Sequence, residues 1–250
     1  MPCRQGRDTV NRSIKSEEDR MMIAKNYEII RENIASACQQ AGRKTEDVRL
    51  IAVTKFIEVE RIAEAVEAGI KEVGENRPQE FASKLDFFDA NSLTPHLIGQ
   101  LQTNKVKYVI GKAALIQSVD RIELAKEISR LAQNRELAQD ILVEVNIGEE
   151  PQKAGVLPGE LPTFIDMISA MPGIAVKGLM CIPPNVGEGG ARPYFARMRR
   201  LFEELRSSAP KGVHMEELSM GMSGDYTVAI LEGATMVRVG TALFGARKTI

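Results

Sequence analysis

Apolar residues recur at helical spacing near the start of the chain. Met21, Met22, Ile23, Tyr27, Ile30, Ile34 and Ala37 mark one face of an amphipathic helix, expected over residues 17–41 and ending at Gly42. Downstream the pattern changes. Short β-branched runs at residues 48–55, 72–76, 96–100, 115–120, 141–148, 176–183, 215–221 and 236–244 read as strands. Amphipathic stretches at 59–69, 121–137, 161–171 and 194–206, with another from Tyr226, read as helices between them. Gly69, Gly111, Gly173 and Gly233 stand where helix ends favour a left-handed residue. Strand–helix alternation implies parallel pairing, and eight units are the number that closes a (β/α)8 barrel. The rival, an open doubly wound sheet, wants a glycine-rich turn after its first strand. That turn is Thr54-Lys55-Phe56-Ile57, without glycine. The expected fold is therefore α/β: a single TIM barrel over residues 18–250 with an extra N-terminal helix, preceded by a flexible leader at 1–17.

Side chains alternate along a strand, so each barrel strand shows one face to the helices and one to the interior. In the fifth strand Ile141, Val143, Val145 and Ile147 suit the helix layer, which turns Leu142, Glu144 and Asn146 inward. In the eighth, Val237 and Val239 oppose Met236, Arg238 and Gly240; in the first, Ile51, Val53 and Lys55 lie together. An interior holding Lys55, Glu144, Asn146 and Arg238 is too polar to be only structural, because burying unpaired charge is strongly unfavourable. These groups need each other, water or a ligand.

Composition narrows the classes. Of the 250 residues, 44% are hydrophobic and 27% charged, ordinary globular values that exclude disorder. Lys+Arg is 33 against Asp+Glu 34, a formal charge of −1, so no basic surplus advertises nucleic acid. No window approaches 18 unbroken apolar residues, so no membrane span is expected. Cys3, Cys38 and Cys181 are odd in number and widely spaced, which argues against a disulfide framework or a cysteine zinc site. With only His96 and His214 beside them, no metal is expected. The basic N-terminal stretch has no apolar core of a secretory signal; a cytoplasmic location is the expectation.

Two chemical signals remain. Strand seven runs into Ser219-Met220-Gly221-Met222-Ser223-Gly224-Asp225, and strand eight into Arg238-Val239-Gly240-Thr241. Small residues and hydroxyls leading into helix N-termini suit an anion, and barrels commonly hold phosphate after strands seven and eight. Ser223 or Asp225 acting only as a helix cap is the plain alternative. Lys55 is the second signal: a lone lysine at a strand's carboxyl end reads first as a salt-bridged structural residue, but one facing a phosphate pocket and a nearby cation such as Arg238 becomes a Schiff-base nucleophile. A pyridoxal phosphate site needs these parts; a phosphosugar aldolase also uses a lysine and a phosphate site.

Val53-Thr54-Lys55, Gly74-Glu75-Asn76 with Gln79-Glu80, His96-Leu97-Ile98-Gly99 with Leu101-Gln102-Thr103-Asn104-Lys105, Gly178-Leu179-Met180, Leu218 to Ser223, and Val237 to Thr241 follow one another in order. This succession resembles the pyridoxal phosphate homeostasis proteins (YggS/PROSC family) from the first helix to Gly245. The resemblance implies a barrel similar to the N-terminal domain of alanine racemase. It implies that Lys55 binds pyridoxal 5′-phosphate as an internal aldimine, and that Ser219, Met222, Ser223, Gly240 and Thr241 surround the phosphate. Arg238 becomes the partner of the pyridine nitrogen, with Asn76 beside the ring. A permanently cationic arginine there keeps that nitrogen unprotonated and weakens carbanion chemistry.

Two positions depart from the family pattern: Pro95 stands where many relatives have tryptophan, and Glu144 where many have glutamine. Glu144 adds a negative charge inside, with His96 a potential partner. His96, mid-strand, reads as a hydrogen-bonded core residue, His214 as structural, and Cys181 as a buried inert thiol. The expected function is a cofactor carrier for buffering or delivery, monomeric, in transient contact with pyridoxal-phosphate-dependent apoenzymes. A low-activity amino-acid racemase is the alternative. Racemisation wants proton donors on both faces of the bound substrate, and the sequence to Ile250 offers Lys55 on one, with no room expected for a racemase β-domain.

Overall fold

Parallel strands close on themselves in chain order, β1 to β8, with β1 paired on one edge to β2 and on the other to β8. The computed structural model describes residues 5–187, 190–208, 210 and 212–246, with side chains from Met21 onward. The strands are β1 (Arg49–Val53), β2 (Glu72–Glu75), β3 (Thr94–Leu97), β4 (Leu115–Val119), β5 (Gln139–Val145), β6 (Ile174–Cys181), β7 (Val213–Ser219) and β8 (Met236–Val239). The helices are α1 (Gln5–Gln40), α2 (Val59–Glu67), α3 (Pro78–Ser83), α4 (Leu85–Ala90), α5 (Ile122–Asn134), α6 (Leu161–Ser169), α7 (Arg192–Ser208), α8 (Tyr226–Leu231) and α9 (Thr241–Phe244).

The period-two pattern sorts the buried residues into two shells. Ile51, Leu115, Leu142, Met180 and Met236 form a small cluster inside the barrel, apart from the larger cluster between strands and helices. Ile141, Val143 and Val145 belong to the outer shell and Leu142 to the inner, as the alternation requires. Gly74 keeps the inner shell closed: a Cβ there would meet Ile51 Cγ2 and Ile98 Cδ1 at 2.9 Å each.

Helix α1 lies over the seam where β8 meets β1. The outer helices at that seam are short, six residues in α8 and four in α9, and α1 supplies the missing cover with Ile23, Tyr27, Ile30 and Ile34 buried. Each such side chain contributes roughly 1.5–3 kcal/mol of burial before entropy is counted. Polar ties fix the register: Asn26 Nδ2 donates to the Leu243 carbonyl oxygen (3.0 Å), Asn33 Nδ2 to the Tyr226 hydroxyl (2.9 Å), and Arg43 Nη1 to the Ala234 carbonyl oxygen (2.8 Å).

Three features differ from the sequence expectation. Helix α1 extends back to Gln5, well before residue 17, because no proline interrupts residues 5–17 and a polar stretch continues a helix without showing an apolar face. The remainder of the expected leader, residues 1–4, lies outside the described residues. Strand eight stops at Val239, since Thr241 already begins α9. Helices α3 and α4 are too short to show a 3.6-residue period, although Pro78 at the head of α3 is a recognised start signal. No helix among the described residues is long and apolar enough to cross a membrane.

Candidate functional site

A cavity of about 280 Å³ opens at the carboxyl ends of the strands. The turn after β1 supplies Lys55, the end of β2 Asn76, and the loop after β7 Met222 and Ser223. Strand β8 and its exit supply Arg238, Gly240 and Thr241. Seven of the eight residues singled out in the sequence thus line one space. Ile98, Ile182 and Phe244 add to its apolar walls; each falls in a run read as strand, where an apolar residue gives no sign of a site.

Ser219 is the exception, and its expected place at the phosphate needs correcting. It is the last residue of β7, fully buried, with its side chain turned into the barrel below the cavity. Its hydroxyl donates to Gln117 Oε1 (2.7 Å) and accepts from Arg238 Nη1 (2.6 Å). Ser219 therefore supports Arg238, whose Nη2 donates to the Cys181 carbonyl oxygen (2.8 Å). The chain of contacts continues downward. Gln117 Nε2 lies 3.4 Å from His96 Nδ1, and His96 Nε2 lies 3.0 Å from Glu72 Oε2. Arg49 then joins Glu72 (3.7 Å) and Glu217 (2.7 Å) at the opposite rim. His96 is thus a hydrogen-bonded core residue, and its acidic partner is Glu72, not Glu144. The sequence signal for Gln117 is a polar residue two positions after the inward-facing Leu115 of β4.

Glu144 sits among other charges. Burial pushes its carboxyl up to about 7, the Asp120 charge pushes the same way, and Arg238 opposes both. Between its usual 4.5 and about 7 the folded state holds a proton that the unfolded chain has released, so this group lowers stability as pH rises through that window. Glu144→Gln removes the penalty. The expected result is a variant whose stability gain over wild type grows from pH 4.5 to about 7 and is flat above, read from urea midpoints at several pH values. A pH-independent difference would refute this account. Burial also pushes the Cys181 thiol up to about 12, making it inert. Cys181 and Cys38 are free and buried.

The rim beside Lys55, across the β1–β8 seam, is built from backbone: a Cβ on Gly240 would stand 3.2 Å from Val53 Cβ. Ser223 Oγ accepts the N–H groups of Gly240 and Ala242, each at 3.2 Å, joining the loop after β7 to the first turn of α9. Asp225 Oδ1 accepts the Met222 N–H at 2.6 Å. Ser223 thus caps the start of α9 and not that of α8, the next helix, whose N-cap residue Asp225 makes no capping bond. Asn76 Oδ1 is buried without a hydrogen-bond partner, an acceptor that burial makes costly to leave unmet. Together with an amine and a guanidinium, this donor and acceptor set fits an aromatic aldehyde that carries a phosphate. Among the described residues, no group of three or more His, Cys, Asp or Glu side chains is arranged to hold a metal ion.

The family described as "Alanine racemase, N-terminal domain" matches residues 26–248. A pyridoxal phosphate homeostasis protein of Aquifex aeolicus is 45% identical over 218 residues, 87% of this chain and 95% of its own. The chain belongs to the pyridoxal phosphate homeostasis protein family. The fold agrees. A crystal structure of an unknown protein from Bifidobacterium adolescentis superposes with a TM-score of 0.85 at 36% identity, covering 90% of this chain and 96% of that one. PipY of Synechococcus elongatus PCC7942, solved with pyridoxal phosphate bound, gives 0.75 at 37% identity, covering 86% of this chain and all of its own. Alanine racemase of Clostridium difficile 630 gives 0.66 at 16% identity; this chain covers 57% of it. At that distance the likeness speaks for the fold alone.

Proposed function

We propose that this protein binds pyridoxal 5′-phosphate at the barrel mouth and serves cofactor homeostasis, holding the cofactor for buffering or delivery. One observation carries the reading: Lys55, Arg238 and the Ser223–Gly240–Thr241 rim surround a single cavity. The family's named function and the cofactor-bound PipY structure support it.

The cofactor supplies an aldehyde that condenses reversibly with a primary amine, releasing water. Lys55 offers that amine. Ser223 and Thr241 would bind the phosphate through their hydroxyls, beside Gly240, whose N–H is held by Ser223 and which leaves room for close approach. Met222 and Ile182 would shield the ring. Asn76 orients the ring through its unmet acceptor. Arg238, held by Ser219 and the Cys181 carbonyl, would face the pyridine nitrogen as a donor and give it no proton. That leaves a poor electron sink, which suits holding the cofactor better than carbanion chemistry.

Titrating the purified apoprotein with pyridoxal phosphate tests this directly. The expected result is a new visible absorbance that saturates at one equivalent; no spectral change at saturation would refute the binding. Transfer to an apoenzyme then separates carrier from racemase: a carrier restores the acceptor's activity, whereas a racemase exchanges amino-acid α-hydrogen with solvent deuterium. We assign the protein to the cytoplasm as a monomer in transient contact with such apoenzymes; the buried free thiols of Cys38 and Cys181 suit a reducing compartment.

A further inference from the structure

The turn that carries Lys55 is fastened on both sides by one buried ion cluster. The Lys84 ammonium has three N–H groups and three acceptors: the Thr54 carbonyl oxygen, Glu75 Oε1 and Glu80 Oε1, each at 2.8 Å. Thr54 Oγ1 also donates to Glu75 Oε1, at 2.7 Å. On the far side of Lys55, the Phe56 backbone N–H donates to Glu80 Oε1 at 2.5 Å. The residues immediately before and after Lys55 therefore end on the same three side chains, supplied by β2, α3 and the α3–α4 junction.

Two further observations show that the arrangement is costly. Phe56 adopts φ +61°, a left-handed backbone uncommon for a bulky residue and kept only where surroundings impose it. The Glu80 bond imposes it on the main chain, and the Arg77 guanidinium lies 4.8 Å from the centre of the Phe56 ring. The ions are also deeply placed: Glu75 is fully buried and Lys84 nearly so. Burial drives the Glu75 carboxyl upward despite its bonds from Lys84 and Thr54. Removing charges from water is expensive even when they pair. The return on that cost is geometric. Strand β1 ends at Val53, and the left-handed step at Phe56 turns the chain away just after Lys55, whose side chain lines the cavity beside Val53.

We propose that Glu80, Lys84 and Glu75 are positioning residues for Lys55, fixing the peptide groups on either side of it so that its amine meets an aldehyde already moored by the phosphate rim. The proposal rests on the reading of Lys55 as the attachment residue. It concerns how fast and how firmly attachment occurs, and leaves phosphate and ring recognition untouched.

Stopped-flow absorbance of pyridoxal phosphate attachment, paired with calorimetry of pyridoxine 5′-phosphate, tests it. The second compound has the ring and the phosphate without the aldehyde. Glu80→Ala is expected to slow attachment and lower its equilibrium constant by roughly 10-fold or more, the scale on which groups orienting a ligand residue act, with pyridoxine phosphate affinity unchanged. Glu80→Gln keeps an acceptor for the Phe56 N–H and is expected to restore most of the attachment. Lys84→Met is expected to lose more; if it fails to fold, the Glu80 pair decides. Wild-type attachment by Glu80→Ala, or equal weakening of both ligands, overturns the clamp, while borohydride labelling of Lys55 in the wild type keeps the function intact. If reduction leaves wild-type Lys55 unlabelled, both readings fall together.

Discussion

Replacing Lys55 with alanine is expected to abolish covalent capture of pyridoxal phosphate while leaving the barrel folded. The side chain is half-buried in a turn, and its removal takes nothing from either hydrophobic cluster, so thermal stability without cofactor should stay near wild type. What is lost is the only contribution of this residue that distinguishes an aldehyde from an alcohol. The phosphate rim and Arg238 remain, so pyridoxine phosphate should bind as before. Affinity for pyridoxal phosphate should fall by roughly 100-fold, about 2.8 kcal/mol, and the visible absorbance should disappear. Borohydride reduction followed by peptide mass spectrometry gives the decisive readout: cofactor mass on the Lys55 peptide of the wild type and none on the variant. A coloured, reducible Lys55→Ala protein would move the attachment to another amine and remove the basis of the proposed function.

Gly178→Ala should produce the largest loss of stability. Strand β6 carries an irregularity at this point, where its register against both β5 and β7 shifts between Val176 and Gly178. Gly178 has φ +152°, and a Cβ added there would stand 1.8 Å from the Glu217 carbonyl oxygen. The obstruction is backbone in the neighbouring strand, which cannot swing aside as a flexible side chain would. A cost of about 3 kcal/mol or more is expected, seen as a lower urea midpoint. The same bulge sets the rows Glu144–Met180 and Met180–Ser219, directly beneath Arg238. Cofactor affinity should therefore fall along with stability. An unchanged midpoint would show that the strand tolerates a side chain there.

Much of this architecture was legible because a strand's period is two and a barrel has only an inside and an outside. Leu142, Met236 and Ile51 could be placed inward by parity alone, and the same parity brought Lys55 and Arg238 to the mouth. Ser219 falls within the strand expected at 215–221, yet the resemblance groups it with the loop residues after it at the phosphate; the strand's parity instead sends it down toward Gln117. The ion cluster under Lys55 was hidden for a different reason. Glu80 and Lys84 lie in short helical turns where charged residues usually meet solvent, and nothing local reveals that three elements converge on one ammonium. The polar start of α1 was illegible because a helix without an apolar stripe has no pattern to find.

The pairing of β1 with β8 has a consequence in time. Lys55 lies just after one of these strands and Arg238 on the other, nearly two hundred residues away in the chain. During synthesis Lys55 emerges long before Arg238, so the cavity that both line takes shape only once β8 has joined β1. A ligand that touches both strands then acts as a rivet across the final joint, resisting the local opening by which a closed cylinder would begin to unzip.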